Sequence, residues 1–177
     1  MSGPDSNRVR RIEPNSYATR EDFINVFNDD RNELYQLSLL LTGDQKKAEK
    51  CVVAGIENCV HQSRVFKEWA RTWAKRIIVE NAIRELKPRP SLRSSSSVAT
   101  VFSRGGEVSG PGGHFDVDAV LGLGDFERFV FVMSVLEHYS HHECALLLGC
   151  SVSEIREGRL HALEQLATSG QTASFAL

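Results

Sequence analysis

Long hydrophobic runs are missing from this chain of 177 residues. No uninterrupted apolar stretch is longer than five residues, as at 129–133, whereas a membrane-spanning helix needs roughly 20. Residues 1–17 are polar and lack the apolar centre of a signal peptide. We therefore expect a cytoplasmic protein with no membrane partner.

Cysteine is also scarce, with four copies. In the cytoplasm such residues are expected to be buried thiols rather than disulfides. Redox sensing needs exposed, activated thiols, yet Cys51 and Cys59 fall on an apolar helix face. The sequence therefore does not favour a redox switch.

Metal-binding and catalytic motifs are absent. His138, His141, His142, Cys144 and Cys150 are close in sequence, but ligands one or two residues apart on a helix point in different directions, and no C-x-x-C pair occurs. The chain has no nucleophile elbow, no phosphate-binding glycine loop before a helix and no H-E-x-x-H motif. We expect no metal, no cofactor and no enzymatic activity.

The charges are unevenly distributed. Residues 64–104 hold ten Lys and Arg against three Asp and Glu, whereas residues 105–177 hold three against ten. The net charge of −2 conceals this contrast. Because a basic segment attracts phosphates and an acidic one repels them, the sequence favours nucleic-acid binding by the first segment over the second.

Residues 88–115 have the composition of a linker. They contain three prolines, a run of four serines and five glycines, with no helical or strand period. Such a segment buries too little apolar surface to offset its ordering entropy. The predicted organisation is an N-terminal polar tail (1–18), a helical domain (19–87), a flexible linker (88–115), a second helical domain (116–168) and a C-terminal tail (169–177).

Apolar residues recur at helical spacing on both sides of the linker. Before it, the pattern predicts helices over 21–27 and 31–41, a third capped by Asp44 after a left-handed Gly43, and a fourth over about 65–86. After it, the pattern predicts a short helix over 117–121 and then a helix capped by Asp125. No segment alternates as a strand does, so the expected fold is all-α.

The last two predicted helices have the spacing of a helix-turn-helix. S-x-x-E capping boxes begin at Ser140 and Ser151. Ala145 permits a close helix crossing, Gly149 takes a positive φ without steric cost, and Ile155 fills the angle between the helices. Two packed helices without DNA contact are the alternative interpretation.

In a helix-turn-helix the second helix enters the major groove with its N-terminal half. The residues expected inside are Ile155, Ala162, Leu163 and Leu166. The residues expected to face DNA are Ser151, Ser153, Arg156, Glu157 and Leu160. Serine can bond phosphates or bases, and arginine can reach a phosphate or a guanine edge.

The fourth predicted helix carries a basic face beside Trp69 and Trp73. Their spacing continues the apolar stripe, which favours a core position for both. Basic side chains can follow a nucleic-acid backbone, and aromatic rings can alternatively stack on unpaired bases at about 1–3 kcal/mol per base. The basic residues include Arg64 and Lys67, and the candidate nucleic-acid residues are Arg71, Trp73, Lys75, Arg76 and Arg84.

Two sets of motifs occur in order across the linker. The first is 33–44 (ELYQLSLLLTGD), 48–49 (AE) and 70–77 (ARTWAKRI), and the second is 129–133 (FVFVM), 139–140 (YS), 143–145 (ECA), 148–149 (LG) and 159–161 (RLH). Together they resemble the bacterial sigma factors of the extracytoplasmic-function class, which direct RNA polymerase to promoters. The likeness covers about 110 of the 177 residues.

The resemblance implies a transcription initiation factor made of two helical domains. Its first domain would bind RNA polymerase core and the −10 element, and its second would read the −35 element, where Arg159 joins the candidates. The implied polymerase-binding residues are Lys47, Glu49, Lys50 and Val53. An anti-sigma protein is a further partner that the resemblance allows.

Two other functions stay open. Lys50 and Val53 stand where the family usually has Asp and Gln, which favours a divergent sigma-like regulator that binds polymerase or a regulatory protein without recognising promoters. The third function is a stand-alone DNA-binding regulator that uses residues 116–168.

Overall fold

The computed structural model describes residues 17–62, 64–90 and 116–173. Within these ranges the chain forms helices and no strand, so the all-α prediction is confirmed. Most of the N-terminal tail and most of the linker lie outside the described residues. The α-helices are α1 (Arg20–Asp29), α2 (Arg31–Thr42), α3 (Gln45–Gln62), α4 (Ala70–Leu86), α5 (Val117–Leu121), α6 (Asp125–Phe131), α7 (His141–Leu148) and α8 (Val152–Ala173).

Helices α1 to α4 pack on one another and form the first half of the fold. The side chain of Thr19 caps α1 in a capping box with Asp22. Gly43 ends α2 in the left-handed conformation, with φ 64°, and the Asp44 carboxylate accepts the Lys47 N–H at 2.8 Å. Both predictions for this turn are confirmed.

The prediction that the fourth helix begins at about residue 65 is wrong. Phe66 is extended and pairs with Tyr17 in an isolated antiparallel bridge, so the helix cannot begin before it. A 3-10 turn over Lys67–Trp69 follows, and α4 begins only at Ala70. As a result Trp69 is 59% exposed rather than in the core, whereas Trp73 is half-buried and packs against the core.

Helices α5 to α8 form the second half, in which α6 continues into a π-helical segment over Val132–Leu136. The prediction that Asp125 caps α6 is wrong, since Gly124 occupies the cap position and Asp125 is the first helical residue. The carboxylate of Asp125 pairs instead with Arg128.

The junction between α7 and α8 has the local geometry expected from the sequence. Ser140 caps α7 in a capping box, and Gly149 ends it with φ 67°. Ala145 and Ile155 are both buried. The two helices contact each other, and α8 packs most extensively on α6.

The packing of α8 on α6 depends on a buried glycine. A Cβ added at Gly158 would lie 2.8 Å from Cε1 of Phe126, so only glycine allows this approach. Leu163 was expected inside but is 37% exposed, because α6 and α7 do not cover that side of α8. The helix continues to Ala173, beyond residue 168, where the domain was expected to end.

One cluster of buried side chains includes residues of both halves. Helix α2 contacts α5, α6 and the π-helical segment, and α4 contacts α7. The basic helix α4 of the first half therefore lies against the acidic second half.

Candidate nucleic-acid and partner-binding surfaces

The outer face of α8 is open to solvent. Ile155, Ala162 and Leu166 are buried and anchor the helix to the fold. The exposed residues on the opposite side include five of the predicted DNA-facing residues, namely Ser151, Ser153, Arg156, Glu157 and Leu160. Nothing in the described part of the chain covers this face.

Ser151 caps the N-terminal end of α8 through hydrogen bonds with Glu154. Its N–H and its hydroxyl both donate to Oε2 of Glu154 at 2.7 Å, and the Glu154 N–H donates to its hydroxyl oxygen at 3.2 Å. The backbone hydrogen bond from Ser151 and then its hydroxyl lower the pKa of Glu154. The negative charge held there favours the positive end of the helix, but it also opposes an approaching phosphate.

Arg159 is directed toward α7 and is half-buried. Its Nη1 lies 3.4 Å from Nε2 of His141, and its Nε is buried with no hydrogen-bond partner in the described part of the chain. In this arrangement Arg159 links α8 to the start of α7, whereas Arg156 points to solvent.

Each predicted basic residue of α4 has a carboxylate partner. Nε of Arg71 lies 2.6 Å from Asp30, and Nε of Arg76 lies 3.1 Å from Glu80. Arg84 shares the same Glu80 at 3.6 Å. The arginine side chains are 39–62% exposed, but the Asp30 side chain is only 10% exposed. The pairs with the partly exposed Glu80 are therefore cheaper for a phosphate to replace than the pair with Asp30, because a buried carboxylate that loses its partner is destabilising.

Lys75 differs from its neighbours because its side chain is only 24% exposed. Its Nζ lies 2.6 Å from Glu33 and 3.1 Å from Glu137. Burial by itself lowers the pKa of Lys75, but the hydrogen bond to Glu33 and the charge of Glu137 outweigh it, and the pKa is raised. The second half therefore neutralises a residue on the basic face of the first.

An aromatic cluster lies beside the basic face of α4. The rings of Tyr17 and Phe66 stack with centroids 4.9 Å apart, and Trp69 meets Phe66 edge-on at 5.9 Å. Tyr17 is 45% exposed. The sequence did not indicate this cluster, because Tyr17 and Trp69 are far apart along the chain.

The implied polymerase-binding residues lie on α3. Glu49, Lys50 and Val53 are exposed, with Val53 at 56%, and Lys47 is half-buried. Nζ of Lys50 lies 2.7 Å from Glu85 on α4. Val53 thus offers an exposed apolar side chain beside charged groups.

Arg128 is a structural residue that sequence reasoning missed. Its guanidinium is buried between the halves and donates to the carbonyl oxygens of Leu41 at 3.2 Å and Leu123 at 3.0 Å. It also lies 2.6 Å from Asp125. The one feature of the sequence that could have indicated this buried role is the position of Arg128 among the apolar residues around Phe126 and Phe129.

The cysteines are free thiols, and Cys51, Cys59 and Cys144 are buried as expected. Burial raises the pKa of Cys59 to about 12 and, as the main cause, that of Cys144 to about 11. Among the described residues no three His, Cys, Asp or Glu side chains are grouped closely enough to hold a metal ion.

Within residues 17–62, 64–90 and 116–173, no helix combines the length and apolar character needed to cross a membrane. Comparison of the chain with protein-family models and with curated proteins finds no match.

Proposed function

We propose that this protein is a sigma-type transcription initiation factor that acts without catalysis. Its two halves would be separate domains in the working complex, and α7 with α8 would be a DNA-binding helix-turn-helix. The first half would bind RNA polymerase core through α3 and the −10 strand through α4. The second would place α8 in the major groove at the −35 element.

The observation that carries the proposal is the one-sided packing of α8. Its buried face holds it on α6 and α7, while Ser153, Arg156 and Leu160 remain exposed near its capped N-terminal end. This is the part of a recognition helix that contacts base edges.

The acidic character of the second half implies weak DNA binding by the free protein, because phosphates are repelled by Glu154, Glu157 and Glu164. Attachment to polymerase would raise the effective concentration of α8 at the promoter without any new contact. Promoter recognition should therefore depend on polymerase and weaken as salt rises.

The proposal is tested by transcription of sheared genomic DNA in vitro. Core polymerase from the source organism is used with and without the full-length protein, and the 5′ ends of the transcripts are sequenced. We expect new start sites with a shared upstream sequence. The absence of any protein-dependent start site would refute the proposal.

A matched pair of variants connects this activity to α8. Arg156→Ala should weaken promoter binding by about 1–3 kcal/mol if Arg156 reads a base. Arg20→Ala removes an exposed arginine at the start of α1 and should leave promoter binding unchanged. An equal effect of both variants would leave Arg156 without a specific role.

The second candidate function is a sigma-like regulator that binds polymerase or a regulatory protein, such as an anti-sigma protein, without recognising promoters. It is favoured by the carboxylate partners of the α4 basic residues and by Leu146, which is 82% exposed. Co-purification with polymerase in the absence of a DNA footprint supports this function over the first.

A further inference from the structure

The middle of the basic face of α4 is covered by the second half, whereas its two ends are open. The Lys75 side chain is 24% exposed, and its Nζ lies 3.1 Å from Oε2 of Glu137 in the second half. Arg71 and Arg84, toward the two ends of the helix, have side chains that are 61% and 62% exposed. The covering is therefore confined to the part of α4 where the two halves meet.

Arg76, the next residue of α4, also lies near the second half, where α4 contacts α7. Burial raises the pKa of Tyr139 to about 12, and the positive charge of Arg76 acts in the opposite direction. Hydrogen bonds from the hydroxyl and the N–H of Ser140 lower the pKa of Glu143, and the charge of Arg76 adds to this effect. Two adjacent cations of α4 thus interact with the second half.

The contacts that hold the halves together are separate from those that hold each half. Helix packing is most extensive within the halves, between α3 and α4 in the first and between α6 and α8 in the second. The segment that joins the described residues 90 and 116 is 25 residues long, and a chain of this length can span up to about 80 Å. The halves can therefore move apart while the chain keeps them connected.

The outer face of α8 stays open in the same arrangement. Ser153, Arg156 and Leu160 are exposed, so a duplex can reach them without any movement of the halves. An unpaired strand that approaches the middle of α4 meets Glu137 instead, whose carboxylate repels phosphates. The packed halves thus present one candidate DNA surface and cover the other.

We propose that the second half is an intramolecular inhibitor of the first, which masks the single-strand-binding face of α4 while it leaves α8 free to meet duplex DNA. The inference rests on the proposed function. The packed arrangement is the resting state of the protein, and the separated halves are its working state. When the halves separate, Glu137 leaves Lys75, and only Glu33 of the first half remains beside it.

This masking sets the order of the DNA contacts. A site that exists only in the open molecules has its apparent affinity reduced by the fraction of molecules that are open. The free protein is thereby kept from single strands elsewhere in the cell, although the cations and rings that bind them are already folded. The face of α4 becomes available when the halves separate.

A permanent interface between the halves explains the same ion pair without any switch. It requires the distance between the halves to stay the same whether or not a single strand is bound. Masking requires that distance to increase when the strand binds. The two interpretations are therefore distinguished by measuring binding and distance on the same protein.

The binding test uses the full-length protein and two fluorescent DNAs, a 12-nucleotide strand of thymines and a duplex of mixed sequence, measured by anisotropy. E137K replaces the carboxylate beside Lys75 by a cation that repels it. E57K makes the same change in charge at an exposed position of α3 that has no ion pair in the described part of the chain. Thermal melting verifies folding, and the milder E137Q serves if E137K is unstable.

We expect E137K to raise the affinity for the single strand about tenfold and E137Q about threefold, because both shift molecules toward the open state. E57K should raise it by less than about threefold, through net charge alone. The affinity for the duplex should change equally in E137K and E57K, since α8 is open in every variant.

The distance is measured by energy transfer between fluorophores attached through azide-bearing residues at Glu21 of α1 and Leu146 of α7, both exposed. The transfer efficiency should fall when saturating single strand is added to the otherwise wild-type protein. It should be lower in E137K even before DNA is added. The duplex should leave it unchanged, because α8 is accessible while the halves are packed.

Equal gains in single-strand affinity for E137K and E57K, or an efficiency that the single strand leaves unchanged, would overturn the inference in favour of a permanent interface. Either result together with protein-dependent transcription sinks the masking alone. A fall in efficiency on binding of the single strand, without protein-dependent transcription, sinks the proposed function alone.

Discussion

Nε of Arg128 donates a hydrogen bond to the carbonyl oxygen of Leu41, 3.2 Å away and 87 residues earlier in the chain. Leu41 lies near the C-terminal end of α2, where carbonyl groups lack partners within the helix. The same guanidinium satisfies Leu123 at the start of the second half. One side chain from the second half therefore completes the hydrogen bonding of the first.

Replacing Arg128 by methionine should lower the free energy of unfolding by about 2–4 kcal/mol, because the buried carbonyl groups of Leu41 and Leu123 lose their donors. Urea unfolding followed by circular dichroism measures this loss. Arg156→Met, at an exposed position, serves as the control and should change stability by less than about 0.5 kcal/mol. Equal effects of the two variants would show that the hydrogen bonds of Arg128 to Leu41 and Leu123 do not stabilise the fold.

Glu137→Gln should increase binding of single-stranded DNA by the basic face of α4. The substitution removes one of the two carboxylates that hold Lys75, a change of about 0.7 kcal/mol or roughly threefold in affinity. A fluorescent 12-nucleotide strand reports binding by anisotropy. Glu164→Gln removes an exposed carboxylate without an ion pair in the described part of the chain, and a rise as large as that of Glu137→Gln would mean that net charge alone matters.

The stability of the protein should fall in acid partly through Asp22. Its hydrogen bond to Lys67, followed by those from Thr19, lowers its pKa from 3.8 to about 2. A carboxylate with a lowered pKa stabilises the fold above its unfolded pKa, and this contribution is lost as the pH falls from about 4 through 2.

Thermal melting between pH 2 and pH 6 should therefore show a shallower decline for Asp22→Asn than for the wild type. Asp29→Asn removes an exposed carboxylate of the same helix that makes no ion pair in the described residues, and its profile should follow the wild type. Identical profiles for both variants would show that Asp22 has no special part in acid unfolding.

Gly158→Ala should destabilise the fold by about 1 kcal/mol, although alanine is the better helix former. The new Cβ would lie 2.8 Å from the buried ring of Phe126, and overpacking costs about 1–3 kcal/mol, which exceeds the gain of up to about 1 kcal/mol in helix propensity. Chemical unfolding of Gly158→Ala and of Gln165→Ala, at an exposed site on α8, distinguishes the two effects. A more stable Gly158→Ala protein would refute the close approach of α6 and α8.

The sequence predicted the features that depend on neighbouring residues. The capping boxes at Ser140 and Ser151 and the left-handed Gly43 and Gly149 follow from the local chain, and the structure confirms them. The helical period also identified the buried positions Ile155 and Ala162, because a single stripe of α8 faces the fold.

The predictions were wrong where contacts with residues distant in the sequence determine the local structure. Trp69 fits a helical stripe, but the bridge between Tyr17 and Phe66 delays the helix and leaves the indole exposed. Asp125 has the character of a cap, yet Arg128 attracts its carboxylate. The contact between Arg128 and Leu41 likewise joins two segments that only the folded chain brings together.

Gly43 lies directly beneath the guanidinium of Arg128. A Cβ at this position would lie 3.2 Å from Cζ of Arg128, and the φ of 64° already disfavours any side chain. A change in the turn between α2 and α3 would thus be transmitted at once to the junction of the two halves. Any residue larger than glycine at position 43 would therefore require the Arg128 guanidinium to shift away from it.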